Sequence, residues 1–341
     1  MSPKKATTTD WKTEEIIENI TKEYGEGIIT TLGKSKFKDQ PTFSTGSFIL
    51  DRETGGGYPL GKIVEIYGEN SSGKTTLALH AVRECQKLGK RAVWFDVENA
   101  LIAKHAQNIG VDIDELLVLH PQHGEQAFEL LVDFIRGGIG LIVIDSIAPL
   151  IPAELLENWE RPPIGAHAKM IGNGLKKINH EMTNKETTII LINQIRYKVS
   201  TGFSFGNPET TTGGTALPYY ASLRIKLRNK KEKVEKGDKC IGIKISASVY
   251  KTRLVSDYLV SKDSKEKSFD IELIFKGGIQ KEREIIDLAV ESDIVQKSGA
   301  WYSYQEKKLG QGKENAVDYL IENPEICQEI EKKVTEMISS E

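Results

Sequence analysis

Cysteine is scarce in this chain: 341 residues include only Cys85, Cys240 and Cys327, odd in number and widely separated. Such spacing argues against a disulfide framework and against a cysteine-based metal site, and points to a reducing compartment. Long apolar runs are missing as well. No stretch approaches the roughly 18 apolar residues of a membrane span, and the polar start MSPKKATTTDWKTEE has no apolar leader. The expectation is a cytoplasmic protein with no membrane partner. Excess positive charge is also lacking. With 46 basic against 49 acidic side chains the net charge is −3, so a polyanionic partner must be met by a local patch rather than by the whole surface. What is present is a globular composition, 39 % hydrophobic and 28 % charged, long enough for about two domains around one large core.

Ile16, Ile17, Ile20 and Tyr24 mark one face of a short helix that Gly25 and Gly27 stop. The run Ile28 to Leu32 (IITTL) reads as a strand, followed by the spacer KSKFK. This amphipathic start packs either on its own domain or on a neighbouring copy. From Lys62 onward the pattern is strand, glycine-rich turn, helix, repeated: KIVEIYG, KRAVWFD, GLIVIDSI and TTIILINQ each precede a turn or helix. Four Val- and Ile-rich runs alternating with helices predict an α/β core with a mainly parallel sheet covered on both faces. ASLRIKLR and GIKISASVYKTR, joined by the charged turn NKKEKVEKGDKC, read as a hairpin extending that sheet. After Phe275 come helices around REIIDLAVES, the strand AWYSYQ and helices opening near Lys313 and Glu325. The expected domains are an arm over 1–35, a core over 36–271 and a small α/β domain over 272–341.

Gly68 to Thr75, GENSSGKT, meets every fixed position of the phosphate-loop pattern and lies between a strand and a helix. Gly68, Glu69, Asn70, Ser71, Ser72 and Gly73 supply a backbone that curls around phosphate oxygens. Lys74 reaches the outer phosphates, and the hydroxyl of Thr75 ligates Mg²⁺. Thr76 opens the helix beside the nucleotide. Asp145, ending LIVID, is the matching holder of magnesium. Hydrolysis also needs a group that orients or deprotonates the attacking water. Asp96 and Glu98 in WFDVENA are the candidates; Glu98, past the strand end, is assigned the water and Asp96 a helix cap. Asn193 and Gln194 end the next strand as amides able to touch a terminal phosphate, at the root of the long glycine- and threonine-rich loop QIRYKVSTGFSFGNPETTTGG. A phosphate sensor at a loop root is a route by which nucleotide state sets loop order.

The segments GKIVEIYGENSSGKTTLALH, NQIR, FGNPETTTGG and SGAWYSYQ together resemble the bacterial RecA family of DNA strand-exchange recombinases, and the resemblance covers nearly the whole chain. It implies a RecA-type ATPase core, an N-terminal helix and strand that pack on the next subunit, and a small C-terminal domain. ATP and Mg²⁺ are the implied cofactors; single-stranded and double-stranded DNA, and further copies of the chain in a helical filament, are the implied partners. One implied DNA loop runs from Ile195 to about Thr212, another from Glu157 to Gly165. Arg196 and Lys198 would meet phosphates, and so would the backbone of Thr211, Thr212, Gly213, Gly214 and Thr215 at a helix start. Val199 or Ile164 would wedge between bases, with Phe205 in the same loop and Lys169 and Lys176 on the adjoining helix.

In that family the next subunit supplies two cations to the phosphates, at positions matched here by Lys251 and Arg253; the arginine is a departure. His105 stands where the family carries an aromatic residue that stacks on adenine, and Ile102 where it carries an acid. The segment from Leu254 to Ser268 is expanded, and the acidic tail of many members is absent after EMISSE, which implies readier access for duplex DNA. Lys297, Lys307, Lys308 and Lys313 would gather that duplex. Three other readings are weighed: a RecA-fold ring helicase or translocase; a filament scaffold activating self-cleavage of a repressor in the DNA-damage response; and a P-loop small-molecule kinase, which leaves the two loops unexplained.

Overall fold

The structure is a computed structural model that describes residues 11–25, 28–29, 31, 40–157, 165–197, 209–254 and 268–339. Residues 1–41 and 42–341 form two units. In the first, α1 (Trp11–Tyr24) leaves Ile16, Ile17 and Tyr24 exposed on one face. Gly25 ends the helix at φ +91°, its N–H donating to the Thr21 carbonyl at 3.0 Å. The expected strand over Ile28 to Leu32 is not found in its described part: Ile28 and Ile29 form a bend and Thr31 is irregular, while Thr30, Leu32 and the spacer after it lie outside the described residues. A strand is stable only when its backbone groups are paired, and this unit offers no second strand among its described residues.

The second unit begins with β1 (Thr42–Phe43), α2 (Phe48–Thr54) and β2 (Tyr58–Pro59), then β3 (Ile63–Gly68), α3 (Lys74–Lys87), β4 (Ala92–Asp96), α4 (Ala103–Ile109), β5 (Leu117–Leu119), α5 (Gly124–Arg136) and β6 (Leu141–Asp145). It continues with α6 (Ala153–Glu157), α7 (Ala166–Glu181), β7 (Thr188–Tyr197), β8 (Glu209–Thr211), α8 (Ala216–Tyr220), β9 (Leu223–Lys236), β10 (Lys239–Thr252), β11 (Ser268–Ile274) and β12 (Gly278–Ile279). The last part holds α9 (Lys281–Glu291), β13 (Gln296–Ser298), β14 (Trp301–Tyr304), β15 (Lys307–Gln311), α10 (Lys313–Glu322) and α11 (Pro324–Ser339).

The main sheet has the order β12-β11-β10-β9-β3-β7-β6-β4-β5, with β8 pairing β7 off that path. Strands β9, β3, β7, β6, β4 and β5 are mutually parallel. Their cores read as continuous apolar runs because both faces are covered, and every residue of β3, β4 and β6 is buried. One hydrophobic cluster on one face joins Val64, Ile66, Leu77 and Trp94; the other joins Ile63, Phe95, Leu131 and Leu175. Helix α5 shows how the cover forms: Ala127, Phe128, Leu131, Val132 and Ile135 fall at helical spacing and are all buried.

The hairpin is longer than its sequence pattern. Residues expected to form a charged turn are strand, bulged at Lys230 and Lys231, and the reversal is confined to Gly237, at φ +58°, and Asp238. Low strand propensity is overridden by the ladder and by side-chain pairs such as Lys230 to Asp270 at 2.7 Å and Lys236 to Asp318 at 2.8 Å, while Val234 supplies a buried apolar contact. The chain then closes into a third cluster around Ile285, Ala289, Tyr302, Leu320 and Ile330, against which Phe48 and Ile49 of α2 pack.

Candidate functional site

Strand β3 ends in Gly68, whose carbon-free α position is obligatory: a Cβ there would lie 2.1 Å from the Leu227 carbonyl oxygen of β9. Glu69, Asn70 and Ser71 are exposed on the loop, Ser71 at φ +57°. Gly73, at φ +89°, then turns the chain into α3. That helix has no side-chain cap and no acidic residue in its first turn, so its first N–H groups and the positive end of its dipole are left for an anion. Lys74 Nζ donates to the carbonyls of Gly68 at 3.3 Å and Glu69 at 2.6 Å. Burial holds its pKa below the usual lysine range, partly offset by Asp145, Glu98 and Glu69.

Thr75 Oγ1 donates to Asp145 Oδ2 at 2.8 Å. Burial lifts the Asp145 carboxyl to about 6, against the Thr75 bond and reinforced by the charge of Glu98. The pair is a hydroxyl and a carboxylate side by side at the mouth of the loop, the hard oxygen set that magnesium prefers together with nucleotide phosphates. Ser72 Oγ is buried there without a partner. Thr76 Oγ1 and His105 Nε2 lie 3.1 Å apart, and burial lowers the His105 pKa. They border a cleft of about 250 Å³ whose other wall is Ile243, Leu273, Ile274 and Phe275. Sequence reasoning missed that wall, because those side chains arrive from strands some 170 to 200 positions further along the chain and carry no motif.

Glu98 lies where β4 and β6 end together, with Asp96 and Asp145 in register. Its Oε1 accepts from Ser146 Oγ at 2.5 Å and from Gln194 Nε2 at 3.2 Å. Gln194 is itself in register with Gly68 on the neighbouring strand. Asp96, expected to cap the following helix, does not cap α4; its carboxylate accepts from the N–H of Ala100 at 3.0 Å and Leu101 at 3.2 Å and so fixes the loop carrying Glu98. The helix begins too far beyond it, at Ala103. Ser146 was also missed. Its hydroxyl follows the strand-end aspartate in sequence, but only the parallel pairing of β4 and β6 brings it to Glu98.

Of the residues expected at DNA, Ile164, Lys198, Val199 and Phe205 lie outside the described residues. Lys169 and Lys176 are exposed, seven positions apart on α7 and hence on one face. Arg196 is exposed on β7, paired with Thr210 of β8. The TTTGG segment is not uniformly a helix start. Thr210 and Thr211 are strand, with Thr211 buried, whereas Thr212, Gly213 and Gly214 turn the chain and Thr215 precedes α8. Gly213, at φ +95°, sits against Ile171, where a Cβ would have 3.2 Å.

Lys251 and Arg253 both reach the end of α8: Lys251 Nζ donates to the carbonyls of Pro218 at 2.8 Å and Tyr219 at 3.1 Å, and Arg253 Nη2 to Tyr219 at 3.3 Å. Burial, with Arg253 and Arg224 nearby, draws the Lys251 pKa down to about 8. Lys313 bridges Glu272 at 3.0 Å and Asp287 at 2.7 Å. Lys297 lies over the Tyr302 ring and Lys308 over that of Trp301.

A glycine loop feeding an uncapped helix, a strand-end Thr–Asp pair and a carboxylate gripped by a neighbouring amide define a P-loop ATP-binding protein with a RecA-type core. Family models described as the RecA N-terminal domain and the RecA C-terminal domain match residues 12–280 and 283–339. The curated Protein RecA of Staphylococcus aureus strains JH9 and Newman are each 43 % identical over 328 residues, covering 95 % of this chain and 91 % of theirs. The chain belongs to the RecA family, the recombinases of DNA repair. The ring-helicase reading is not favoured. No helix among the described residues is long and apolar enough to cross a membrane.

Proposed function

We propose that the chain hydrolyses Mg²⁺-bound ATP to control a head-to-tail filament on single-stranded DNA, within which a homologous duplex is found and strands are exchanged. The observation that supports this most is the grip of Gln194 on Glu98, because one strand, β7, then links the water-activating carboxylate to the DNA loop. Thr75 and Asp145 would hold the magnesium, which would supply positive charge to offset the negative charge developing on the outer phosphates. Lys74 exchanges its two carbonyl partners for phosphate oxygens. Glu98, held by Ser146, orients the attacking water and takes its proton.

A terminal phosphate competes with Glu98 for the Gln194 amide, and the movement of Gln194 is passed to the residues that follow it. Lys251 and Arg253 are proposed to act on the phosphates of the adjacent subunit, leaving the carbonyls of α8 when they do so. The exposed apolar face of α1 suits packing on that subunit, in an interface that does not close and so builds a helix. Residues 1–35, 36–271 and 272–341 are proposed as arm, core and terminal domain.

Glu98→Gln tests the assignment. Hydrolysis should fall by about 10²-fold or more, while the variant with ATP still binds single-stranded DNA in a gel-shift or anisotropy assay. Loss of DNA binding by a folded variant would overturn the role given to Glu98. Electron microscopy of the wild type with ATP and single-stranded DNA decides between filament and ring.

A further inference from the structure

The face of β3, β7 and β9 beside the nucleotide site carries polar side chains that the proposed mechanism does not use. Glu65, in the middle of the phosphate-loop strand, is fully buried. Its Oε2 accepts from Arg224 Nε at 2.5 Å and its Oε1 from Asn193 Nδ2 at 2.9 Å. Asn193 is buried too, and its amide is spent three ways. Nδ2 also donates to the Thr212 carbonyl at 2.9 Å, and Oδ1 accepts from the Gln194 N–H at 2.8 Å. Thr212 is the residue at which the DNA loop returns to the sheet, directly after β8.

The start of that returning limb is pinned on the same face. Glu209, first residue of β8, accepts from Lys226 Nζ at 2.5 Å and from Arg228 Nη2 at 2.7 Å, and Lys226 is almost wholly buried. Aromatic rings fill the space between the two anchors. Arg224 lies 4.8 Å over the Tyr67 ring, Tyr67 meets Tyr250 edge-on at 5.9 Å, and Lys226 lies 5.0 Å over Tyr250. A buried carboxylate is costly unless it is paired. A β-strand of three residues, hydrogen-bonded to one neighbour only, would not by itself justify burying Glu65.

We infer that Glu65 is a positioning residue for DNA-dependent hydrolysis: through Asn193 it anchors the returning limb of the DNA loop to the strand that becomes the phosphate loop, with Arg224 as its counter-charge. This rests on the proposed function and adds a second route between the two sites, one that does not use the Gln194 side chain. β3 ends at Gly68 three residues beyond Glu65, so a change in that strand end is felt at Asn193. Asn193 in turn holds both the backbone of Gln194 and Thr212. Small shifts are transmitted because one amide carries all three bonds, so that moving it to keep one strains the others.

The test uses the full chain and Glu65→Gln, which can still accept from Asn193 but turns an amide N–H or an uncharged oxygen toward Arg224. Three quantities are read: binding of a fluorescent ATP analogue, hydrolysis without DNA, and hydrolysis with single-stranded DNA. The ratio of DNA-stimulated to DNA-free hydrolysis should drop about tenfold, with analogue binding kept and amide exchange over residues 209–214 faster than in wild type. A folded variant with unchanged ratio and unchanged exchange overturns the inference.

Should the variant not fold, exchange in the wild type carries the test. Adding a non-hydrolysable ATP analogue without DNA should alter protection at Gln194 and across 212–214 together, and protection that changes at Gln194 alone overturns it. If DNA fails to stimulate the wild type, the proposed function falls, while the exchange experiment still judges the anchor.

Discussion

Two carboxylates are buried away from the phosphates, and they are compensated in opposite ways. Glu65, at the centre of the sheet, has a guanidinium at 2.5 Å and a side-chain amide. Glu284, on α9 where the C-terminal part meets the core, is answered by one hydroxyl and two backbone amides: Ser47 Oγ donates at 2.7 Å, and the N–H groups of Phe48 and Ile49 at 2.6 and 3.3 Å. It thus occupies the N-terminus of α2, assisted by that helix's dipole. Burial raises the Glu284 pKa to about 7, against these three bonds and with Asp51 adding to the rise. Charge pairing ties β3 directly to β9, whereas the Glu284 carboxylate, met only by dipoles, titrates near neutrality. The first suits a fixed anchor beside a catalytic site; the second suits a joint.

Removing the carboxylate should separate the two regions most. Glu65→Ala leaves Arg224 without its partner and Asn193 with an idle donor, and should cost about 3 to 5 kcal/mol in denaturant unfolding. A cost below that of the joint variant would break the comparison. Glu284→Ala leaves two backbone N–H groups and one hydroxyl unanswered and should cost about 1 to 3 kcal/mol, with faster amide exchange at residues 47–50.

The pH dependence should be visible at the joint. Because the folded pKa of Glu284 is above its unfolded value near 4.5, the folded state holds the proton more tightly. Its contribution is therefore complete below pH 4.5 and is lost as pH rises through about 7, amounting to about 3 kcal/mol at most. Stability of wild type relative to Glu284→Gln should fall across that window, and parallel curves would refute the assignment. The smallest effect is expected for Glu284→Gln itself at pH 8, within about 1 kcal/mol of wild type or slightly stabilising, since the amide keeps an acceptor and carries no charge to bury.

The parallel core and the phosphate loop were legible because each rests on local pattern. Val- and Ile-rich runs bounded by glycine turns could hardly be anything but doubly covered strands, and GENSSGKT meets a spaced requirement for backbone freedom, one cation and one hydroxyl. Glu98 and Gln194 could be placed at strand ends. What held them could not: Ser146 and the apolar wall ending in Phe275 depend on which strands become neighbours, and the Asp96 carboxylate closes a local turn onto Ala100 and Leu101 rather than capping the helix. At the hairpin tip charged residues continue the strands rather than end them, because the backbone ladder outweighs their low strand propensity. The strand expected after α1 failed at Ile28 and Ile29 for the converse reason, that suitable residues do not make a strand without a partner.

The order of residues alone determined the class of nucleotide chemistry, since phosphate binding needs glycines, lysine and threonine at fixed spacing along one segment, and determined the family, since several such segments recur together. Only the tertiary structure decided how Glu65, Asn193, Arg224 and Thr212 meet, and that Glu284 caps a helix more than 230 residues earlier. Those contacts are set by sheet order and register, which bring together side chains whose separation along the chain carries no periodic signal.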